Sequence, residues 1–111
     1  MGASENTVKN AVLEYLHAIR IFAWSNNTGA VRLHGRGGDR FMRFGKVGSA
    51  DIIGCLADGR FLAVECKAPA GRLSAAQSDF LASIRDRGGV AIVARCIEDV
   101  ERGLAEAGVK Q

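Results

Sequence analysis

Gly48-Ser49-Ala50-Asp51-Ile52-Ile53-Gly54, followed by Phe61-Leu62-Ala63-Val64-Glu65-Cys66-Lys67, decides the fold of this chain. Two apolar runs of strand length flank Asp58-Gly59, a strong turn signal, and so read as a β-hairpin. Their charges are unusual. The first run opens on Asp51, and the second carries Glu65 and Lys67 inside a hydrophobic strand. Side chains alternate across a strand, so Glu65 and Lys67 share a face. Such groups cost several kcal/mol to bury unless they are paired or bind a metal. The choice is between a structural Glu65–Lys67 pair and a metal site with a catalytic lysine.

The register of the hairpin separates these readings. A two-residue loop, Asp58-Gly59, would put Asp51 opposite Cys66, on the face away from Glu65. A three-residue loop, Ala57-Asp58-Gly59, with Gly59 left-handed as a bulge, puts Asp51 directly opposite Glu65. The second register gathers Asp51, Glu65 and Lys67 on one surface and is the one expected here.

Length bounds the rest. With 111 residues the chain reads as one domain, residues 1–111, large enough for a single core. Apolar content of 48% and charged content of 24% are those of an ordinary globular protein. No apolar run is long enough to cross a bilayer, and the first residues lack the pattern of a signal peptide, which points to the cytoplasm and away from membranes. Cys55, Cys66 and Cys96 have no metal-type spacing and read as reduced, buried cysteines. The net charge of +3 is modest, but its distribution is not. Arg32, Arg36, Arg40, Arg43 and Lys46 crowd around a single acid, Asp39, in a glycine-rich segment. That segment reads as a mobile basic loop or loose hairpin suited to phosphate contacts, or else simply as a solvated loop.

Along the chain, Ser4 caps a helix running to Ile19, with Val8, Val12, Tyr15, Leu16 and Ile19 as its apolar stripe. At 100° per residue Glu5 falls on that stripe and Glu14 on the opposite face. Glu5 can therefore look inward, although an acid at a helix start is also explained by the helix dipole. Ile21–Ser25 is a short strand, and Ala30–Leu33 and Phe41–Phe44 can pair across the basic segment. Ser74 opens a second helix to about Arg87, where Ser74 and Gln77 have capping-box spacing. Gly88-Gly89 ends it, Val90–Ala94 is a buried strand, and Ile97–Ala107 a last amphipathic helix. The fold class is α/β, a mixed sheet flanked by helices.

Two carboxylates on a strand pair, a third from a helix and a lysine beside them form an oxygen-rich site for a hard cation. Mg²⁺ or Mn²⁺ prefers such ligands, and the Cys66 backbone carbonyl is placed to join them. The reaction class is metal-assisted phosphodiester hydrolysis, with Lys67 orienting water or stabilising the transition state. His17 and His34 have no evident nucleophile partner, so Ser or Cys catalysis is not supported.

Ala50-Asp51 followed by Glu65-Cys66-Lys67 resembles the core motif of PD-(D/E)XK nucleases. With Ser4-Glu5, Asn26-Asn27-Thr28-Gly29-Ala30, Phe44 to Gly54, and Gly71-Arg72-Leu73-Ser74-Ala75-Ala76-Gln77, nearly the whole chain resembles the VRR-NUC family. The resemblance implies a restriction-endonuclease-like core in the order α-β-β-β-α-β-α. It implies Asp51, Glu65 and Glu5 as metal ligands, Lys67 as the catalytic lysine and Gln77 as the motif glutamine, a role that competes with its cap. Ala50 stands where the superfamily has proline. Arg72 joins the basic segment as a DNA contact. Stand-alone members, typical of phages and bacteria, resemble resolvases of four-way junctions. The expectation is thus a homodimeric DNA endonuclease without small-molecule cofactor, each copy nicking one strand of branched DNA. A nuclease for flaps, nicks or duplex, and a catalytically silent DNA-binding module, are the alternatives.

Overall fold

The computed structural model of the protein describes residues 4–110. Helix α1 (Glu5–Ala18) begins where Ser4 accepts the Thr7 N–H on its hydroxyl. It buries Val8, Val12 and Leu16 along one stripe, each contributing about 1.5–3 kcal/mol. Glu14 faces solvent, as its place on the helix requires. The helix closes in a Schellman turn: Ile21 donates to the Leu16 carbonyl at 2.9 Å and Arg20 to that of His17 at 3.0 Å. Arg20 takes the left-handed position there, at φ 64°, where an L side chain costs about 1–2 kcal/mol. This tight exit delivers the chain into β1 (Phe22–Ser25), and His17 ties the two together through the Ala23 carbonyl at 2.8 Å.

Next come β2 (Gly29–Gly35) and β3 (Gly38–Phe44), then β4 (Ile52–Cys55) and β5 (Phe61–Cys66). The chain ends with α2 (Ala75–Asp86), β6 (Val90–Ala94) and α3 (Ile97–Glu106). Four strands form one sheet in the order β1-β4-β5-β6. β1, β4 and β5 pair antiparallel and β6 joins β5 in parallel, so the sheet is mixed. Without β2 and β3 the order is α-β-β-β-α-β-α, as expected.

Each face of the sheet has its own core. Ile52, Leu62, Val64, Cys66, Ile92 and Ala94 meet the buried stripes of α1 and α3. On the other face Ala50 and Ala63 meet Leu81 of α2. That second cover is partial, because α2 lies over β5 and β6. Phe22, Trp24, Cys55 and Phe61 stay exposed. The expectation of three buried cysteines is thereby corrected: only Cys66 is buried. Cys55 ends β4 on the face that α2 leaves open, and Cys96 is the N-cap of α3.

The basic segment is neither a loop nor loose. β2 and β3 form a regular antiparallel ladder from Gly29↔Phe44 to Gly35↔Gly38, turning through Arg36-Gly37. Gly38 supplies the positive φ, +100°, that so tight a turn needs. At the base, the Phe44 ring lies over Gly29, filling the space its missing side chain leaves. This hairpin forms its own two-stranded sheet and belongs to neither core. It makes the molecule 54 × 36 × 26 Å, with a radius of gyration of 15.5 Å. A compact chain of this length would have about 13 Å. The hairpin is an arm.

Candidate active site

The loop before β4 is built to present Asp51. Gly48 sits at φ +82°, and a Cβ there would lie 2.6 Å from the Ala76 carbonyl, so only glycine lets the loop meet the start of α2. Ser49 donates to the Lys46 carbonyl at 2.7 Å and accepts the Asn26 amide at 2.8 Å. The same amide donates to the Ala50 carbonyl at 2.9 Å, and the Asn26 N–H to that of Asp51 at 2.7 Å. Ala50 is fully buried against Ala63 and Leu81, a packing role for the position where proline is usual.

The β4–β5 ladder runs from Cys55↔Phe61 to Ile52↔Val64, so Asp51 falls next in line, opposite Glu65. The loop is the three-residue one. Leu56 donates to Arg60 across it, and Gly59 sits at φ +92°. Beyond the last backbone pair, Asp51 Oδ2 accepts the Cys66 N–H at 2.9 Å, so a carboxylate ends the ladder. Glu65 is 2% exposed and Lys67 7%, the two buried charged residues among those described. Burial pushes the Glu65 carboxyl up to about 8. The neighbouring Asp51 carboxylate adds to this, and Lys67 opposes it.

Glu65 Oε1 accepts from Gln77 Nε2 at 3.4 Å, while Gln77 Oε1 accepts the Ser74 N–H at 2.9 Å. One amide thus completes the capping box of α2 and touches the site. Glu65 Oε2 is buried without a hydrogen-bond partner. An orphaned carboxyl oxygen beside a second carboxylate is the kind of donor a cation satisfies, displacing the proton that burial favours. Burial raises the Cys66 thiol to about 12, so that residue would offer its carbonyl and not a thiolate. The donor set is all oxygen and fits a hard divalent ion.

Glu5 reaches the site from the start of α1 and meets Lys67. Its Oε1 lies 3.4 Å from Lys67 Nζ, and its side chain is 56% exposed. Among the described residues no three His, Cys, Asp or Glu side chains gather as a metal cage. Asp51 and Glu65 face each other across the β4–β5 pair, and a site with few carboxylates leaves room for carbonyl and water ligands as Mg²⁺ prefers. Glu5 is placed to hold the lysine.

A cleft of about 590 Å³ opens between the start of α1 and Asp51, lined by Ser4, Glu5, Asn6, Lys9, Asp51 and Ala68. Lys9, which nothing in the sequence singled out, also lines this cleft. It stands one helical turn beyond Glu5, at the edge of the buried stripe, and its charge is felt by Cys66. Arg72 is exposed on the loop leaving Lys67, which Arg95 pins through the Gly71 carbonyl at 2.7 Å. Lys46 lies exposed in the turn between the arm and Ser49. Arg32, Arg36, Arg40 and Arg43 ride on the arm, away from the carboxylates but rooted beside them. A Cβ at Gly45 would meet Asn27 and Thr28, so the two roots of the arm touch next to Asn26.

No curated protein and no solved structure matches the chain significantly. The VRR-NUC domain profile matches residues 7–97, which includes Lys9, Asp51, Glu65, Lys67 and Gln77 and leaves Glu5 just outside. A VRR-NUC domain implies a nuclease acting on DNA, and its superfamily generally uses divalent metals. Extending over most of the sequence, the match makes the chain a member of the VRR-NUC family within the PD-(D/E)XK nuclease superfamily.

Proposed function

We propose that the protein is a Mg²⁺- or Mn²⁺-dependent DNA endonuclease that acts on branched DNA such as four-way junctions. The observation that carries this reading is the buried Glu65 beside half-buried Asp51, with Glu65 Oε2 lacking a partner and buried Lys67 alongside. A buried, unsatisfied carboxylate costs stability, and a purely binding module has no use for it.

Asp51, Glu65 and the Cys66 carbonyl would hold the ion. When bound, it supplies Lewis-acid polarisation of a phosphoryl oxygen and a more acidic water. Lys67, held by Glu5 at 3.4 Å, orients the attacking water or stabilises the negative charge that develops on the phosphoryl oxygens. Gln77 steadies Glu65 from the α2 cap. Water attacks phosphorus, one P–O ester bond breaks, and the leaving oxygen takes a proton. Arg32, Arg36, Arg40 and Arg43 of the arm, with Lys46 and Arg72 at its base and on the site rim, contact the DNA backbone. A second copy completes the enzyme, each site cutting one strand. The exposed Phe22, Trp24 and Phe61 and the arm's Val31, Met42 and Phe44 supply apolar surface for that pairing. Among the described residues no helix is long and apolar enough to cross a membrane.

The test is cleavage of labelled four-way junction, flap, nicked duplex, linear duplex and single strand, with Mg²⁺, Mn²⁺ or EDTA. Paired symmetric nicks in the junction, abolished by EDTA, are expected. Equal cutting of all substrates removes the junction preference, and tight binding without cutting under any metal replaces the enzyme with a silent binder.

A further inference from the structure

The two faces of the arm differ in chemistry. Alternation puts Val31, Leu33, Met42 and Phe44 on one face with Arg40. The other carries the opposed pairs Ala30↔Arg43, Arg32↔Phe41 and His34↔Asp39. On this second face Phe41 is 67% exposed and joins neither core. The Arg32 guanidinium lies 5.3 Å from the centre of its ring. Asp39, the acid of this face, is already occupied by His34 at 2.7 Å and Arg32 at 3.9 Å. The result is a flat aromatic ring, presented to solvent and framed by Arg32 and Arg43.

A phenylalanine left in water forgoes the gain of burial, and arginines around it create a surface that is both planar and cationic. A single nucleotide has the matching parts: a π-face for the ring and a phosphate for a guanidinium. In a fully paired duplex each base face is covered by its neighbours, so only an unpaired or unstacked base can lie on the ring. Phe41 is three residues from the end of β3, about 10 Å up the arm from its root beside Asp51. A base held there lies within a few nucleotides of the carboxylates.

We propose that Phe41, backed by Arg32, is a stacking platform for an unpaired base, and that it directs the protein to DNA containing unpaired nucleotides. This rests on reading the arm as a DNA-binding element of the nuclease. It adds a recognised feature, the base face, that phosphate contacts by themselves do not provide.

The experiment measures binding of the whole protein, in EDTA and at one salt concentration, to a labelled duplex with a bulge of unpaired bases and to its fully paired counterpart. Phe41→Ala should weaken binding to the bulged DNA roughly 5- to 100-fold, with little change on the paired duplex. Phe41→Trp should retain the preference. Equal loss on both DNAs, or no loss on either, overturns the proposal. So does a shift of Phe41→Ala to a smaller species in sedimentation, which would make the ring part of an interface between copies. A wild-type protein that keeps the bulge preference but cuts nothing with metal overturns the nuclease reading and leaves the stacking platform standing.

Discussion

Glu65 is a carboxyl in a nearly dry position, and its titration follows from that. A glutamate in an unfolded chain titrates near 4.5, whereas burial and Asp51 raise this one to about 8. Between those values the folded, metal-free protein keeps a proton that the unfolded chain has released. Stability is therefore full below about pH 4.5 and is lost as pH rises towards 8, by on the order of a few kcal/mol. Urea unfolding in EDTA should show this decline between pH 5 and 8, and Glu65→Gln should flatten it. Stability that rises across that window in the wild type would contradict a protonated, buried Glu65. At the same scale, Lys9 sits in a cleft with Glu5 and Asp51 and is available to a substrate phosphate. Lys9→Gln should raise KM about tenfold, the worth of one charge-assisted hydrogen bond, with little change in melting temperature. Steady-state kinetics with a thermal melt checks both. The meeting of Asp51 with Glu65 and the burial of Glu65 and Lys67 were legible because charges inside an apolar strand demand an explanation. Lys9 did not stand out, because a lysine on a helix flank is ordinary until the fold sets it in a cleft beside Asp51.

At the scale of elements, the central hairpin shows why short turns carry so much information. Gly59 at φ +92° makes a three-residue loop, and that single count puts Asp51 on the side of Glu65. The loop before it depends on Gly48 in the same way. Gly48→Ala adds a Cβ against the Ala76 backbone and strains a left-handed φ, and should cost about 2–4 kcal/mol. Since Ala76 adjoins Gln77, the displaced helix start should also cut activity; denaturation and a cleavage assay measure the two losses. The helices and β6 were legible nearly to the residue, because Ser4, Ser74, Gly88 and Gly108 mark their ends. The basic segment was harder. Its glycines argue for looseness, while the alternation of Val31 with Leu33 and of Met42 with Phe44 argues for strands, and the ladder wins over the full length.

The whole molecule divides its labour between a packed body, which holds the carboxylates, and an arm, which holds most of the basic cluster. No pattern among sequence neighbours could place the arm outside the body, because that depends on which apolar residues find no partner. Replacing residues 30–43 by a short Gly-Ser linker should leave the melting temperature within a few degrees, since the arm belongs to neither core. It should weaken DNA binding and flatten its salt dependence, by up to about 0.9 in logarithmic slope for each phosphate the arm neutralises. Titrations at several salt concentrations check this, and an unchanged slope would move DNA binding off the arm. On the proposed reading, Asp51, Glu65 and Lys67 form a hydrolytic centre. The most direct measurement is single-turnover cleavage of a labelled junction with Mg²⁺ by the wild type and by Lys67→Met, at protein concentrations that saturate the DNA. The variant should fold and bind as the wild type does while its cleavage rate falls at least about a hundredfold. A variant that cuts at the wild-type rate would mean that the chemistry lies elsewhere.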